Sequence, residues 1–119
     1  MTRDDITDRE LLGLAAKAAG IEVWFSRMSD GEGGVIEPCH RTLDAETVVW
    51  NPLYDDGDAL RLAVRLALWI FTPDTDDSKV HVRRRDDRVT VAERVLDDPY
   101  AATRRAIVRA AAEIGRNMK

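Results

Sequence analysis

Trp50-Asn51-Pro52-Leu53-Tyr54-Asp55-Asp56-Gly57-Asp58-Ala59-Leu60-Arg61-Leu62-Ala63-Val64 is the most informative stretch of this 119-residue chain. An aromatic residue, a proline turn and three acids lead straight into an apolar helix. Carboxylates suit a helix start because the positive end of the helix dipole stabilises them. The predicted helix covers about 56–67. Ala59, Leu60, Leu62, Ala63, Val64, Leu66 and Ala67 make it apolar almost all round, and Arg61 and Arg65 interrupt on one face. A helix of this kind is buried on most sides. The pattern therefore places it centrally, with Leu62 and Leu66 in the core and both arginines at the rim.

Upstream, Thr7-Asp8-Arg9-Glu10 is a capping box, in which the Thr7 hydroxyl accepts from the Glu10 amide. Leu11, Leu12, Leu14, Ala15, Ala18 and Ala19 follow at helical spacing, and Gly20 suits a left-handed stop. This gives a helix near 8–19. Residues 21–25 read as a short strand or an apolar lead-out. Residues 26–47 hold Gly31, Gly33, Gly34 and Pro38 among polar residues. They read as a long loop, with a short extended piece at Val35-Ile36 and a brief β-prone run at Thr47-Val48-Val49-Trp50.

Downstream, residues 68–72 read as a strand ending at Pro73. Lys79-Val80-His81-Val82-Arg83 and Arg88-Val89-Thr90-Val91-Ala92 alternate strictly about an Asp86-Asp87 turn, the pattern of a hairpin. With 68–72 they form a three-stranded antiparallel meander with one face more polar than the other. Asp97-Asp98-Pro99 opens a third helix near 99–116 with an aspartate cap and proline in the first turn. Its apolar side is Thr103, Ala106, Ile107, Ala110, Ala111 and Ile114, and Arg104, Arg105, Arg109 and Arg116 populate the other. The expected fold class is α+β: a small three-layer α/β/α sandwich forming one domain over 1–119, with a long loop near 26–47.

The composition is that of a globular chain, 45% hydrophobic and 34% charged. One cysteine excludes an intramolecular disulfide and fits a cytoplasmic setting. Met1-Thr2-Arg3-Asp4-Asp5 lacks the apolar run of a signal peptide, and no membrane span is expected. The net charge of −4 conceals a polarity. Residues 1–78 carry seven Lys/Arg and sixteen Asp/Glu, and residues 79–119 carry eleven and six, giving −9 and +5. Either the halves meet and cancel, or the polarity steers a partner.

Candidate chemistry is sparse. Asp55, Asp56 and Asp58 could hold a hard cation, but their spacing lacks the distal glutamate of a calcium loop. Helix capping is the simpler reading. Cys39-His40 could be a nucleophile–base or metal pair. Adjacent residues rarely face one another, however, and His81 is the only other histidine. Lys79, His81, Arg83, Arg84, Arg85 and Arg88 make a basic hairpin of the kind that can dock in a nucleic-acid groove. Against that, Asp86 and Asp87 at its tip repel phosphate, and few aromatics interleave to stack bases. A solvated face that discourages edge pairing is the alternative. Trp50 either seals the turn before the second helix or sits in an interface. No phosphate loop, Ser/His/Asp order or paired-carboxylate signature is visible, so no catalytic residue, cofactor or metal site is expected.

Three segments carry a resemblance: Arg9-Glu10-Leu11-Leu12-Gly13-Leu14-Ala15-Ala16-Lys17-Ala18-Ala19-Gly20, the 50–64 stretch, and Asp98-Pro99-Tyr100-Ala101-Ala102-Thr103-Arg104-Arg105-Ala106-Ile107-Val108-Arg109-Ala110-Ala111-Ala112. The chain resembles the phage ABA-sandwich domain family of small phage and prophage proteins. The likeness is weakest over 25–47 and 69–96. It implies a layered α/β/α domain of phage or prophage origin and no particular activity. The expected function is therefore that of a non-enzymatic accessory protein in the cytoplasm of a bacterial host, acting by binding a protein, in this reading one of the host. The expected interaction surface is Trp50, Arg83, Arg85, Arg88, Arg104 and Arg105. The runner-up is nucleic-acid binding through the hairpin at 79–94 and the arginine face of the last helix. A weaker third reading is a metal enzyme using the three aspartates. A homodimer is an open arrangement, because an unpaired meander edge invites pairing with its copy.

Overall fold

The computed structural model describes residues 7–28, 35–41, 47–72, 78–85 and 89–118. In chain order these form α1 (Asp8–Ala19), β1 (Val23–Met28), β2 (Val35–Arg41), β3 (Thr47–Val49), α2 (Asp56–Arg65), β4 (Leu68–Phe71), β5 (Lys79–Arg84), β6 (Thr90–Arg94) and α3 (Pro99–Arg116). The fold is α+β, with the three helices and the β4-β5-β6 antiparallel meander in the places the sequence assigns them.

Local chemistry explains the helix ends. Thr7 caps α1 by accepting from the Glu10 amide, and Gly20 ends it at φ 71. Asp98 caps α3 by accepting from the Tyr100 and Ala101 amides, with Pro99 in the first turn. Asp55 caps α2 by accepting from the Asp58 amide. That helix ends at Arg65, two residues short of expectation. Ala67 takes φ 53 there, a left-handed conformation that turns the chain directly into β4.

The described residues of the segment read as a long loop near 26–47 are instead strand. β1, β2 and β3 pair antiparallel in that order, with Val23 opposite His40 and Cys39 opposite Val49. Pro38 suggested a loop because it lacks a ladder donor. It stands opposite Phe25 on β1, and β3 begins to pair only at Cys39. At Pro38 the strand therefore has a neighbour on one side only, the edge-like setting that accommodates proline. The glycines at 31, 33 and 34 lie outside the described residues.

A second correction concerns the centre of the fold. α2 buries only Ala59, Leu62 and Ala63, while Leu60 and Val64 are 61% and 71% exposed. Leu66 is half-buried. The central helix is α3. One flank packs on the inner face of the second meander, where Val80, Val82 and Val91 are buried, and α1 and α2 pack on its other sides. Ala106, Val108, Ala110, Ala111 and Ala112 are all within 1% of complete burial. A helix packed against α1, α2 and the meander at once must be narrow. Alanine supplies that narrowness without loss of helix propensity, and arginine hides the signal by carrying a charge on a long stem.

The closest approach is between α1 and α3. A methyl group placed on Gly115 would overlap the carbonyl oxygen of Leu14 and would also press on its carbonyl carbon, at 2.9 Å. Backbone has no rotamer with which to yield. Gly115→Ala should therefore cost about 1–3 kcal/mol through overpacking, exceeding the ~1 kcal/mol that alanine gains over glycine within a helix. Chemical denaturation reads the difference. An unchanged or raised midpoint would contradict this packing.

Candidate functional site

The 50–58 turn is built by side chains turned back on its own backbone. Trp50 is only 4% exposed and Pro52 is fully buried, so the turn has an apolar underside. Asn51 accepts from the Leu53 amide through its side chain and from the Tyr54 and Asp55 amides through its carbonyl. Asp58 accepts from the Asn51 amide at 2.9 Å and from Arg61 at 2.7 Å. Asp55 is the helix cap, and Asp56 meets Arg104 at 2.6 Å. Each of the three acids that suggested a cation site thus has a structural partner. No group of three or more potential metal-ligating residues occurs among the described residues. Cys39 and His40 stand on β2, a strand where a loop was expected, and their side chains lie outside the described part of the structure.

The arginine side of α3, expected to belong to an interaction surface, is largely engaged within the fold. Arg104 donates to the Leu53 carbonyl at 2.9 Å and to Asp56, Arg105 reaches Asp8 at 3.1 Å, and Arg109 pairs with Glu93. These bonds tie α3 to the turn before α2, to α1 and to β6. They also join the acidic and basic halves of the chain, because Asp8 and Asp56 belong to one and Arg104 and Arg105 to the other. Of the six residues expected at an interaction surface, Trp50 is buried and Arg104 and Arg105 are engaged within the fold. Arg88 lies outside the described residues. Arg83 and Arg85 remain on the hairpin, Arg85 exposed and Arg83 half-buried.

Two accessible surfaces stand out. The first is a groove of about 610 Å³ beside α2. Ile21, Val49, Leu60 and Val64 supply apolar walls, and Arg61 and Asp58 line its polar side. Val49, Leu60 and Val64 are each more than half exposed. In the sequence Leu60 and Val64 belong to a helix that is apolar almost all round and therefore expected to be buried on most sides. The usable signal was that α2 needs only a stripe at 59, 62 and 63 to reach α3.

The second surface is the outer face of the β4-β5-β6 meander. Trp69 pairs with Arg83 and Phe71 with His81, and those pair in turn with Thr90 and Ala92, while Lys79 pairs with Arg94. Cross-strand partners share a face, so these eight side chains lie together, opposite the buried valines. The Arg83 guanidinium sits 4.8 Å from the centre of the Trp69 ring and 5.7 Å from that of Phe71. Both rings remain nearly half exposed, at 44% and 48%. The sequence reading found few aromatics among the basic residues. They are interleaved by strand pairing, at 69 and 71 against 83 and 81, not by neighbourhood in the chain.

Comparison with protein-family models, with curated proteins and with solved structures finds no match. Among the described residues no helix is long and apolar enough to cross a membrane.

The two arginine anchors differ in burial. Arg104 is 15% exposed at its side chain and also satisfies a backbone carbonyl, while Arg105 is 39% exposed and holds only carboxylates. Arg104→Ala should cost about 1–3 kcal/mol, the loss expected when a part-buried acceptor is orphaned. Arg105→Ala should cost under about 1 kcal/mol, as exposed pairs do. Equal midpoints in urea for the two variants would refute this ranking.

Proposed function

We propose that the chain is a non-enzymatic binding module of phage or prophage type. In this reading it works in the bacterial cytoplasm by taking a segment of another protein, one of the host, into the groove beside α2. The observation that carries the reading is the clustering of Val49, Leu60 and Val64, all largely exposed, around one concave surface. Apolar surface left in water forgoes about 25 cal/mol per Å². Scattered exposed leucines are ordinary, whereas apolar side chains gathered around a groove mark a place where something binds. The carboxylates beside the groove are taken up in capping and ion pairing, which favours binding over acid–base chemistry there. The likeness of the 50–64 stretch to phage ABA-sandwich proteins supports the setting.

Leu60→Asp combined with Val64→Asp should leave the fold intact, because both side chains point into water. The pair should abolish capture of the partner from host lysate by immobilised protein, with bound proteins identified by mass spectrometry. The same partner recovered in equal amount by the double variant and the wild type would overturn the groove as the site.

A further inference from the structure

We propose that a cavity between the α2–β4 turn and the end of β5 binds a small organic phosphate monoester, with Arg84 and Arg85 holding its phosphate. The site uses other residues than the groove beside α2 and does not rest on that reading.

The cavity follows from the turn. Ala67, in its left-handed conformation, sends the chain from α2 straight into β4, which begins at Leu68 opposite Arg84. Leu66 and Ala67 thus come beside the end of β5, where with Arg84 and Arg85 they line a cavity of about 410 Å³. Strand alternation puts Arg84 on the same face as Val80 and Val82, the face that carries the core. Arg84 is half-buried there, and Arg85 is exposed.

The helix arginines have partners within the fold. Arg61, Arg104, Arg105, Arg109 and Arg116 each meet an acid, and Arg65 donates to the Ala19 carbonyl. Among the described residues no hydrogen bond or ion pair reaches the Arg84 or Arg85 side chain, and none of those lining the cavity is a carboxylate. A half-buried guanidinium has lost part of its hydration, and only an acceptor makes up that loss. Its planar fork of donors fits the oxygens of carboxylate or phosphate. Charge decides between the two. A carboxylate answers one of the two cations, whereas a phosphate monoester carries about −1.5 to −2 at pH 7. Leu66 and Ala67 supply an apolar wall for the ester's organic group. Asp86 and Asp87 follow Arg85 in the chain and repel an extended polyanion, which favours one compact dianion over a nucleic-acid strand.

Nuclear magnetic resonance of the ¹⁵N-labelled full chain, titrated at constant ionic strength with phenyl phosphate, inorganic phosphate, benzoate and oligo-dT, tests the proposal. Phenyl phosphate should shift the signals of Leu66, Ala67, Arg84 and Arg85 saturably and bind more tightly than the other three. Its affinity should fall as pH drops below about 6, where the ester loses its second charge. Arg84→Gln should weaken binding about tenfold, the loss of one charge-assisted contact. Arg84→Lys should restore only part of it, because an ammonium cannot form the fork. Arg85→Gln should weaken binding about threefold, as at an exposed pair, and it carries the test if Arg84→Gln fails to fold. The Leu60→Asp, Val64→Asp variant should bind as the wild type does, which separates this site from the groove. Absence of saturable shifts at these residues would overturn the proposal, as would wild-type affinity in folded Arg84→Gln or Arg85→Gln. Benzoate bound as tightly would show that one charge suffices. Inorganic phosphate bound as tightly would leave the apolar wall without a role, and oligo-dT bound as tightly would assign the arginines to nucleic acid. Each of these three results would also overturn the phosphate ester as the ligand.

Discussion

The contact between Gly115 of α3 and the Leu14 carbonyl of α1 sets the dimensions of this fold. Two helices can meet backbone to backbone only where side chains are nearly absent, and both supply that condition. α1 presents Ala15, Ala16 and Ala19, and α3 presents a run of alanines closed by Gly115. Close approach brings many atoms within dispersion range, which offsets the small area that each alanine buries. It also fixes the other contacts. With α1 seated so deeply, α3 has its meander flank and its α2 flank left, and both are filled.

The charged residues follow from that enclosure. A helix packed on three flanks keeps only a narrow, partly exposed strip, and the arginines on it reach past the alanine surface to acids on neighbouring elements. Arg104 reaches the 50–58 turn, Arg105 reaches the start of α1, and Arg109 reaches β6. The polarity of the sequence, acidic first and basic last, is thus consumed in part within the molecule.

Much of the architecture could be read from the chain. The capping box at Thr7, the aspartate–proline start at Asp98 and the alternation at Val80, Val82 and Val91 are local signals with local causes, and they placed three helices and one meander. Three features escaped. The first meander lacks clean alternation and contains Pro38, whose tolerance depends on where β3 begins to pair. The ranking of α2 and α3 was inverted because hydrophobicity was taken for centrality. Leucines mark a helix that buries large side chains, whereas a helix squeezed between neighbours must be built of alanine. The groove beside α2 was missed, and the hairpin was read for its cations without its aromatic neighbours, for a related reason. Leu60 and Val64 carry no sign of exposure in the sequence, and Trp69 meets Arg83 only through strand register.

The primacy of α3 is the claim on which the rest depends. Native-state amide hydrogen exchange tests it most directly, because the slowest amides report the last structure to open. Amides of α3 between Ala106 and Ala112 should exchange only through global unfolding, with a free energy matching that from denaturant titration, while those of α2 open earlier. Slowest exchange in α2, with α3 opening by local fluctuation, would contradict the account.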